Sequence, residues 1–224
     1  MDMGVFKERL INWMGKKLSY PLNRRRLLFF AMPKCASSSV YQLARKYGFE
    51  VHDHNLRSES FVELYDRPDV ESRFVFTILR NPVSRAYSAW RYLSSGGGNR
   101  HDAADSLRII KQGEDFDSFV KRSFHMSDPE LLRQIHFRPM VDWVIHPNGS
   151  NALNLSFPLE QIEFVADQFV PGFLRVPPKQ VSLRQENRSQ IKSDGQIALS
   201  NEGLMLLQTV YRADFEFYNS ICGN

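Results

Sequence analysis

Two apolar segments constrain the fold of this chain more than any other feature: Leu27–Met32 and the run RFVFTIL at residues 73–79. Neither alternates between apolar and polar residues, which is typical of strands covered on both faces, as in a parallel sheet. A shorter strand is predicted between them, at residues 49–54. Because a helical segment follows each strand, the pattern predicts an α/β, P-loop-like three-layer fold, in which helices flank a central parallel sheet.

The remaining sequence is predominantly helical, so the C-terminal half is predicted to be rich in helices. The glycine-containing stretch at residues 94–106 is predicted to be a flexible loop. Gly48 is suited to a left-handed C-cap for the first helix after Met32. The predicted helices are Ser38–Tyr47, Ser58–Arg67, Pro82 through Tyr92, Ser106–Lys111, Phe116–Phe124, Leu131–Ile145, Leu159–Phe169 and Glu202–Asn219.

Length and charge suggest one domain preceded by a basic segment. The chain has 224 residues, 42% of them hydrophobic, which suits a single globular domain at residues 27–224. The formal net charge is +4, and residues 1–30 contain seven Lys or Arg against two Asp or Glu. The rest of the chain is therefore close to neutral. This distribution argues against bulk binding of nucleic acid.

Residues 1–26 form a predicted basic, amphipathic N-terminal segment. Phe6, Trp13 and Leu18 fall on one helical face, with basic residues opposite. This pattern leaves three roles open: peripheral contact with an anionic membrane, packing on the domain, or dimer formation. The oligomeric state is not predicted. No secretory signal or membrane-spanning stretch is recognisable, so a cytoplasmic and membrane-peripheral location is expected.

Cysteine and histidine spacing gives no indication of a metal site. The two cysteines, Cys35 and Cys222, are far apart in sequence, which favours a reducing compartment over a disulfide framework. No Cys/His cluster has metal-ligand spacing, and no metal is predicted. Cys35 precedes a predicted helix, where a thiolate would be favoured. It is interpreted either as a redox-sensitive thiol or as a small residue that fills the loop.

The segment PKCASSSV, directly after the first strand, is a candidate anion-binding site. In open parallel sheets, ligands bind beyond the carboxyl ends of the strands. There the first-turn amides of the following helix would attract an anion, and Lys34 and three serines would add donors. The alternative interpretation is that the serines simply cap the helix and Lys34 is solvated. The sequence lacks the G-x-x-x-x-G-K-[ST] loop of nucleotide triphosphate sites.

A second candidate anion site follows the strand at residues 73–79. Arg80 stands at the strand end, before a helix that begins with Pro82, and Ser88 lies eight residues later. Arg80 could hold a phosphate in a bidentate manner, and Ser88 could add a hydroxyl. Arg85 is a further candidate, with exposure to solvent as the alternative. Two such sites suit a ligand with an anionic group at each end.

The motifs PKCASSSV and LRNPVSRAYSAW together resemble the two cofactor motifs of sulfotransferases, particularly the carbohydrate branch of heparan and chondroitin sulfotransferases and their bacterial relatives. Further fragments also resemble that family. HFRPMVDWV has Met140 where Gln is usual, and FPLEQIEFV matches a segment that carries a buried Glu, here Glu160. Residues 187–189 and the C-terminal YRADFEFYN fit as well. One departure is Ala36-Ser37, where Gly-Thr or Gly-Ser is common.

This resemblance implies binding of 3′-phosphoadenosine-5′-phosphosulfate (PAPS), without a metal, and transfer of its sulfuryl group. Lys34 would stabilise charge on the leaving phosphate oxygen, while Arg80 and Ser88 would hold the 3′-phosphate. The residues predicted to bind the cofactor are Pro33, Lys34, Cys35, Ala36, Ser37, Ser38, Ser39, Arg80 and Ser88.

A base must take the proton of the acceptor hydroxyl, and three histidines are candidates. His54 is preferred, because in related folds the base comes from a strand end between the two cofactor motifs. His52 shares its face of the strand, and His136 lies in the later HFRPM sequence. Each could instead be an ordinary core or surface residue.

The expected acceptor is a carbohydrate or glycolipid. Trp90, Tyr92 and Trp143 would suit stacking on sugar rings, although packing in the core explains them equally well. Two other functions remain open: a nucleotide-dependent kinase with a P-loop-like fold, and a non-catalytic module that binds a phosphorylated ligand.

Overall fold

The computed structural model describes residues 26–53, 70–125, 129–145, 149, 151, 153–179 and 197–222. Its centre is a four-stranded sheet in the order β2-β1-β3-β4, in which all neighbouring strands are parallel. The expected α/β architecture with a central parallel sheet is therefore confirmed. The strands are β1 (Leu27–Ala31), β2 (Glu50–Asp53), β3 (Phe74–Leu79) and β4 (Leu155–Pro158).

Helices follow the strands and then occupy most of the described second half. A composite helix, α7, spans residues 159–174 and contains a π-helical stretch at Val165–Phe169. The other helices are α1 (Ser37–Tyr47), α2 (Pro82–Ser94), α3 (Arg100–Ile109), α4 (Phe116–Phe124), α5 (Pro129–Arg133), α6 (Val141–Val144), α8 (Asn201–Val210) and α9 (Arg212–Cys222).

Apolar side chains cover both faces of the sheet, which explains the uninterrupted apolar runs of β1 and β3. On one face, Phe29 and Phe76 pack with residues of α1 and α7. On the other, Leu28 and Phe30 pack with residues of α6 and α9. Successive strand residues point to opposite faces, so each run needs apolar residues at every position. The result is three layers: helix, sheet, helix.

A second group of buried residues joins the helices beyond the sheet. Phe119, Phe124 and Phe137 lie at its centre, with residues from α2, α3, α4 and α8 around them. The Tyr211 hydroxyl, at the junction of α8 and α9, donates to the Phe137 carbonyl at 2.6 Å. This packing fixes the helical half relative to α2, which carries the second predicted cofactor motif.

The loop predicted at residues 94–106 is wrong beyond Asn99, because α3 begins at Arg100. The Asn99 side chain accepts hydrogen bonds from the backbone amides of His101 and Asp102 and so caps the helix. The glycines before this cap suggested flexibility, whereas Asn99 and Asp102 have the spacing of a helix start. The Asn99 cap therefore determines where α3 begins.

Two long predicted helices are each divided, and one strand was not predicted. Residues 131–145 contain Pro139, which cannot continue a helix, and the structure has α5 and α6 there instead. The helix predicted at 202–219 breaks at Tyr211 into α8 and α9. β4 lies between the helices predicted at 131–145 and 159–169, in a stretch for which no strand is predicted.

Several predicted features lie outside the described residues: the N-terminal segment 1–25, the helix at 58–67, His54, and residues 187–189. Among the described helices, none has both the length and the apolar character that crossing a membrane requires. Within the same residues, no group of three or more His, Cys, Asp or Glu side chains is placed to share a metal ion.

Candidate active site

The loop between β1 and α1 has an unusual backbone. Lys34 and Ala36 both have positive φ, at 64° and 62°, a left-handed conformation that L-residues rarely adopt. Ala36 is the N-cap of α1 and offers no side-chain hydrogen bond to the helix. The first-turn amides of a helix have no carbonyl partners within it. The positive end of α1 thus has no side-chain cap among the described residues, and binding of an anion there stays a prediction.

The serines that follow have different environments. The Ser37 hydroxyl donates to the Met32 carbonyl at 2.8 Å and so ties the helix start to the end of β1. Ser38 is exposed and Ser39 is half-buried. Because the Ser37 hydroxyl proton is used in this hydrogen bond, Ser37 can contact a ligand only through its backbone amide and its hydroxyl lone pairs. Ser38 keeps its hydroxyl available at the surface.

Cys35 lies inside the loop rather than at its surface. Its side chain is fully buried, in the same apolar group as Met32 and Leu28. Burial raises the pKa of the thiol, which outweighs the opposing effects of Arg85 and Arg80. The expectation that the helix end favours a thiolate is therefore wrong here. The structure agrees with the alternative, a small residue that fills the loop.

Two buried arginines join the second motif to this loop. Arg80, at the end of β3, is 5% exposed and donates to the Lys34 carbonyl at 3.4 Å. Arg85, on α2, is 2% exposed, and its Nε donates to the Pro33 carbonyl at 3.1 Å. The solvent-exposed alternative for Arg85 is wrong. Both guanidinium groups thus hold the backbone of the loop between β1 and α1.

Both guanidinium groups also have unused donors. Within the described part of the chain, Nε of Arg80 and Nη2 of Arg85 are buried and have no hydrogen-bond partner. Burial also lowers the pKa of Arg80. Unsatisfied buried donors on a cation are costly, and a bound anion would satisfy them. These arginines therefore fit an anionic ligand at this edge of the sheet.

The start of α2 is built as the sequence predicted. Asn81 is its N-cap and accepts hydrogen bonds from the amides of Val83 and Ser84, and Pro82 is the first helical residue. Ser88 lies further along α2 and is half-buried. The structure thus brings Lys34 and Arg80 into contact, and it places Ser88 on the helix that begins beside Arg80.

The Lys34 ammonium lies over an aromatic ring. Its Nζ is 3.6 Å from the centroid of the Tyr92 ring, a cation–π contact. The pKa of Lys34 is lowered to about 8, first by burial and then by the positive charge of Arg80, while Asp102 opposes the shift. Close to neutral pH this lysine can therefore exchange its proton, unlike an ordinary surface lysine.

Tyr92 belongs to a buried polar network that the sequence analysis did not predict. Its hydroxyl donates to Asp102 at 2.6 Å, and the Asn99 side-chain amide donates to the same carboxylate oxygen at 2.7 Å. His136 Nε2 lies 3.3 Å from the other oxygen of Asp102. The one sequence signal was the Asn-x-x-Asp spacing of residues 99–102, typical of a helix N-terminus.

The described histidines among the candidate bases have different surroundings. His52 is half-buried on β2, and its ring stacks on Phe30 with a centroid distance of 5.6 Å. His136 is buried, faces Asp102 and makes a T-shaped contact with the Tyr92 ring. His54, the preferred base, follows β2 outside the described residues. The choice among the three stays a prediction.

Two other expectations change. Glu160 is exposed rather than buried, and its carboxylate accepts a hydrogen bond from the Tyr218 hydroxyl at 3.0 Å. Glu160 lies in the first turn of α7, two residues beyond the end of β4, where solvent still reaches it. Trp143 is 0% exposed in the core between the sheet and α6, so it cannot stack on a sugar. Of the aromatic candidates, Trp90 and Tyr92 stay half-buried.

A parallel sheet, a helix N-terminus without a side-chain cap after β1, and two buried arginines, Arg80 at the end of β3 and Arg85 on α2, define an α/β protein whose site suits an anionic ligand. A family model described as the sulfotransferase family matches residues 22–219. The chain therefore belongs to the sulfotransferase family, whose enzymes transfer sulfuryl groups. A search of curated proteins and a search of solved structures found no significant match.

Proposed function

We propose that the protein transfers the sulfuryl group of PAPS to a hydroxyl group of a carbohydrate or glycoconjugate. The observation that carries this proposal is the pair of buried guanidinium groups, Arg80 and Arg85, with unused donors beside Lys34. The residues present fit PAPS, which is anionic at both its phosphosulfate and its 3′-phosphate. PAPS, when bound, supplies the activated sulfuryl group.

Each of the two motifs is proposed to bind one part of PAPS. The amides at the start of α1, Ser38 and the Lys34 ammonium would bind the phosphosulfate. Arg80 and Ser88 would bind the 3′-phosphate, with Arg80 offering a charged hydrogen bond. Arg85 keeps the loop in place through the Pro33 carbonyl. Together these groups position the donor and exclude water from it, which is most of what such a transfer requires.

Lys34 is proposed to stabilise the negative charge that develops on the leaving phosphate oxygen. Its ammonium is already beside the loop, and its pKa of about 8 leaves it mostly protonated at neutral pH. Peripheral oxygens carry the charge during sulfuryl transfer, as in phosphoryl transfer, so fixed cations serve this chemistry well. The proposal includes no metal ion.

His54 is proposed as the base that accepts the proton of the attacking hydroxyl, with His52 and His136 as replacements. An imidazole with an ordinary pKa of about 6.5 is largely neutral at physiological pH. Replacing the base by alanine should lower turnover by about 10²- to 10⁴-fold and leave binding of the desulfated cofactor unchanged. If His54→Ala keeps more than a tenth of wild-type turnover, the role passes to the variant that loses turnover but binds cofactor.

The acceptor is proposed to be a carbohydrate or glycolipid. Trp90 supports this, since its half-buried side chain stacks on Tyr87 at 5.7 Å and leaves part of an aromatic surface accessible to a sugar ring. We further propose that residues 27–224 act as one sulfotransferase domain in the cytoplasm, and that residues 1–26 contact a membrane peripherally.

Label transfer distinguishes this proposal from a kinase and from a binding module. The purified protein is incubated with sulfur-labelled PAPS, or with phosphorus-labelled ATP, and a panel of glycans and glycolipids. We expect sulfur label on a glycan, and loss of transfer in Lys34→Ala. Phosphorus label on the acceptor would favour a kinase. Binding of the desulfated cofactor without any transfer would favour a non-catalytic module.

A binding measurement tests the donor site independently of the acceptor. A charged hydrogen bond contributes about 1.5–3 kcal/mol. Arg80→Ala should therefore weaken binding of 3′-phosphoadenosine-5′-phosphate by roughly 10- to 150-fold in calorimetry. Arg108→Ala is the control, because Arg108 is exposed on α3 and pairs with Asp105 and Glu130. Equal affinity for the folded Arg80→Ala and Arg108→Ala proteins would contradict the assignment.

A further inference from the structure

We propose that Tyr92, anchored by Asp102, is a positioning residue that holds the Lys34 ammonium at the anion-binding loop. The proposal has two parts. The placement of Lys34 is a property of the protein without ligand, and it stands whether or not sulfuryl transfer occurs. The effect on turnover rests on the proposed function.

The Tyr92 ring provides a surface for a cation that would otherwise be repelled. Arg80 and Arg85 both act on Lys34 and disfavour its charged form. The ring centroid is 3.6 Å from Nζ, on the α2 side of the loop. A ring face attracts an ammonium electrostatically, most strongly where water is reduced. Tyr92 therefore opposes the tendency of the lysine to turn away from the two arginines.

Two groups lie at the hydroxyl end of Tyr92. The hydroxyl donates to Asp102, and the nearby backbone of Gly98 lowers the pKa of Tyr92 slightly against the larger effects of burial and Asp102. Asp102 is itself fixed, because its carboxylate accepts from the Asn99 side chain and its amide donates back to Asn99. Burial and this carboxylate raise the pKa of Tyr92 to about 12. The phenol thus stays protonated and keeps donating to Asp102 at any pH near neutral.

The glycine run before α3 makes this arrangement possible. A Cβ at Gly98 would come within 2.6 Å of the Tyr92 hydroxyl oxygen, and a Cβ at Gly97 would collide with Asp102. Gly97 also has a φ of 70°, which favours glycine. Gly97 and Gly98 therefore pack closely against Asp102 and the Tyr92 hydroxyl, and these contacts explain why both positions are glycine.

His136 supports the same ring from the side. The two ring centroids are 4.9 Å apart, and the planes meet at 79°. His136 Nε2 also faces Asp102 at 3.3 Å. Tyr92 is thereby held at its hydroxyl and by a T-shaped ring contact, while one face of its ring carries Lys34. His136 thus contacts both members of the pair that positions Lys34.

The charges around Lys34 give the proposal a measurable signature. Arg80 at the end of β3 and Arg85 on α2 lower the pKa of the lysine, while Asp102 on α3 and the Cys35 thiol of its own loop raise it. Tyr92 adds the attraction of its ring. Loss of the Asp102 charge, or of the ring, should therefore lower the pKa of Lys34 below about 8.

The first test observes Lys34 directly in the protein without ligand. Protein with carbon-labelled lysine is titrated by NMR, and the Lys34 Cε signal is assigned by its loss in Lys34→Arg. In Asp102→Asn we expect the titration midpoint to fall by about half a pH unit or more. The control is Asp105→Asn, which removes the same charge from α3 at a residue that pairs with exposed Arg108.

The second test separates the ring from the hydroxyl. Tyr92→Phe keeps the ring, whereas Tyr92→Leu removes it at similar volume. In Tyr92→Leu we expect the Lys34 midpoint to fall and turnover with PAPS to drop by about 2- to 30-fold, the range of a cation–π contact. Tyr92→Phe should retain most of the wild-type turnover. Its loss of activity at alkaline pH should begin at a lower pH than in wild type. Circular dichroism confirms that each variant is folded.

The outcomes separate this inference from the proposed function. If Asp102→Asn and Tyr92→Leu fold but leave the Lys34 titration as in Asp105→Asn, the inference is overturned, even if PAPS is a donor. If the titration shifts as expected and no sulfuryl transfer is found, the placement of Lys34 stands and the proposed function fails. Should Tyr92→Leu not fold, the comparison of Asp102→Asn with Asp105→Asn decides alone.

Discussion

At the scale of single residues, the loop between β1 and α1 has a left-handed backbone without glycine. Ala36 has a φ of 62° at the N-cap of α1, the position where the related motif commonly has glycine. A left-handed conformation costs an L-residue about 1–2 kcal/mol. The site therefore stores strain where the ligand is proposed to bind, a common property of binding loops.

Ala36→Gly should relieve this strain. Glycine adopts positive φ freely but loses more entropy on folding, so we expect a net gain of up to about 1 kcal/mol in the free energy of unfolding. Chemical denaturation measures this. The matched control is Ala104→Gly, in the interior of α3 and exposed, which should lose about 1 kcal/mol. If the two variants lose stability equally, Ala36 is not strained.

The titration of Lys34 predicts how ligand binding depends on pH. The pKa of Lys34 is about 8 in the protein without ligand, against an ordinary value of 10.5. An anion beside the ammonium favours the charged form and raises this pKa, so binding takes up a proton at and above pH 8. Affinity for 3′-phosphoadenosine-5′-phosphate should therefore fall as the pH rises above about 8, by up to tenfold per unit.

Calorimetry in buffers of different ionisation enthalpy measures both the affinity and the proton uptake. Lys34→Ala should bind 3′-phosphoadenosine-5′-phosphate more weakly. It should show neither the proton uptake on binding nor the decline in affinity that begins at pH 8. A wild-type affinity that stays constant from neutral pH to a pH well above 8 would show that Lys34 does not face the bound anion.

The same lysine affects stability. Its folded pKa lies below its unfolded pKa, so between the two values the unfolded chain binds more protons. Stability contributed by this group therefore rises with pH above about 8, and below that pH the charged lysine is a constant cost.

At the scale of secondary-structure elements, a buried carboxylate organises two helices. Asp214 on α9 is 1% exposed and accepts hydrogen bonds from the amides of Met140 and Val141, at the start of α6. Burial raises the pKa of Asp214, and the positive charge of Arg85 opposes that rise. The short helix α6 thus receives its N-terminal cap from a residue far along the chain.

Asp214→Ala should leave two backbone donors without an acceptor. Each buried, unsatisfied polar group costs about 1–3 kcal/mol, so we expect a loss of about 2–5 kcal/mol in denaturant unfolding. Asp214→Asn keeps one acceptor and should lose less. The control, Asp142→Ala, removes an exposed carboxylate of α6 whose nearest cation, Arg138, is 4.0 Å away, and should cost less than about 1 kcal/mol. Similar losses for the two alanine variants would contradict the capping role.

The elements that the sequence predicted well are those whose formation depends on nearby residues in the sequence. β1, β3, α1 and α4 have strong apolar patterns or clear ends, and their predicted bounds differ from the structure by a residue or none. β4 is too short to have a pattern of its own and exists because β3 offers it an edge. The start of α6 depends on Asp214, and no local signal could reveal that partner.

The residues of the candidate site also divide into those with a local sequence signal and those without one. Lys34 and Arg80 were predicted because each follows a strand, and the parallel order of β1 and β3 brings them together. Tyr92 was considered only for stacking on a sugar and Asp102 not at all, because their contacts with Lys34 and with each other come from the packing of α2, α3 and the loop. Arg85 was left open, since a sequence does not show which face of α2 is buried.

At the scale of the whole molecule, the basic segment 1–26 is proposed to bind anionic membranes. Vesicles containing anionic lipid should float the full-length protein at low salt, and added salt should release it. Replacing Arg24, Arg25 and Arg26 by Gln should reduce flotation, at about 1 kcal/mol per charge. Zwitterionic vesicles and an Arg108→Gln variant are the controls. Flotation unaffected by the triple substitution would argue against this role.

The strand order has a consequence for synthesis of the chain. Translation produces β1, β2 and β3 early, but β4, the partner on the outer side of β3, appears only after α2 through α6. Until β4 is made, β3 is an unpaired edge strand of apolar residues that are buried in the final fold. Such edge strands can pair with other chains. The growing polypeptide therefore passes through a window in which chaperone protection of β3 would matter most.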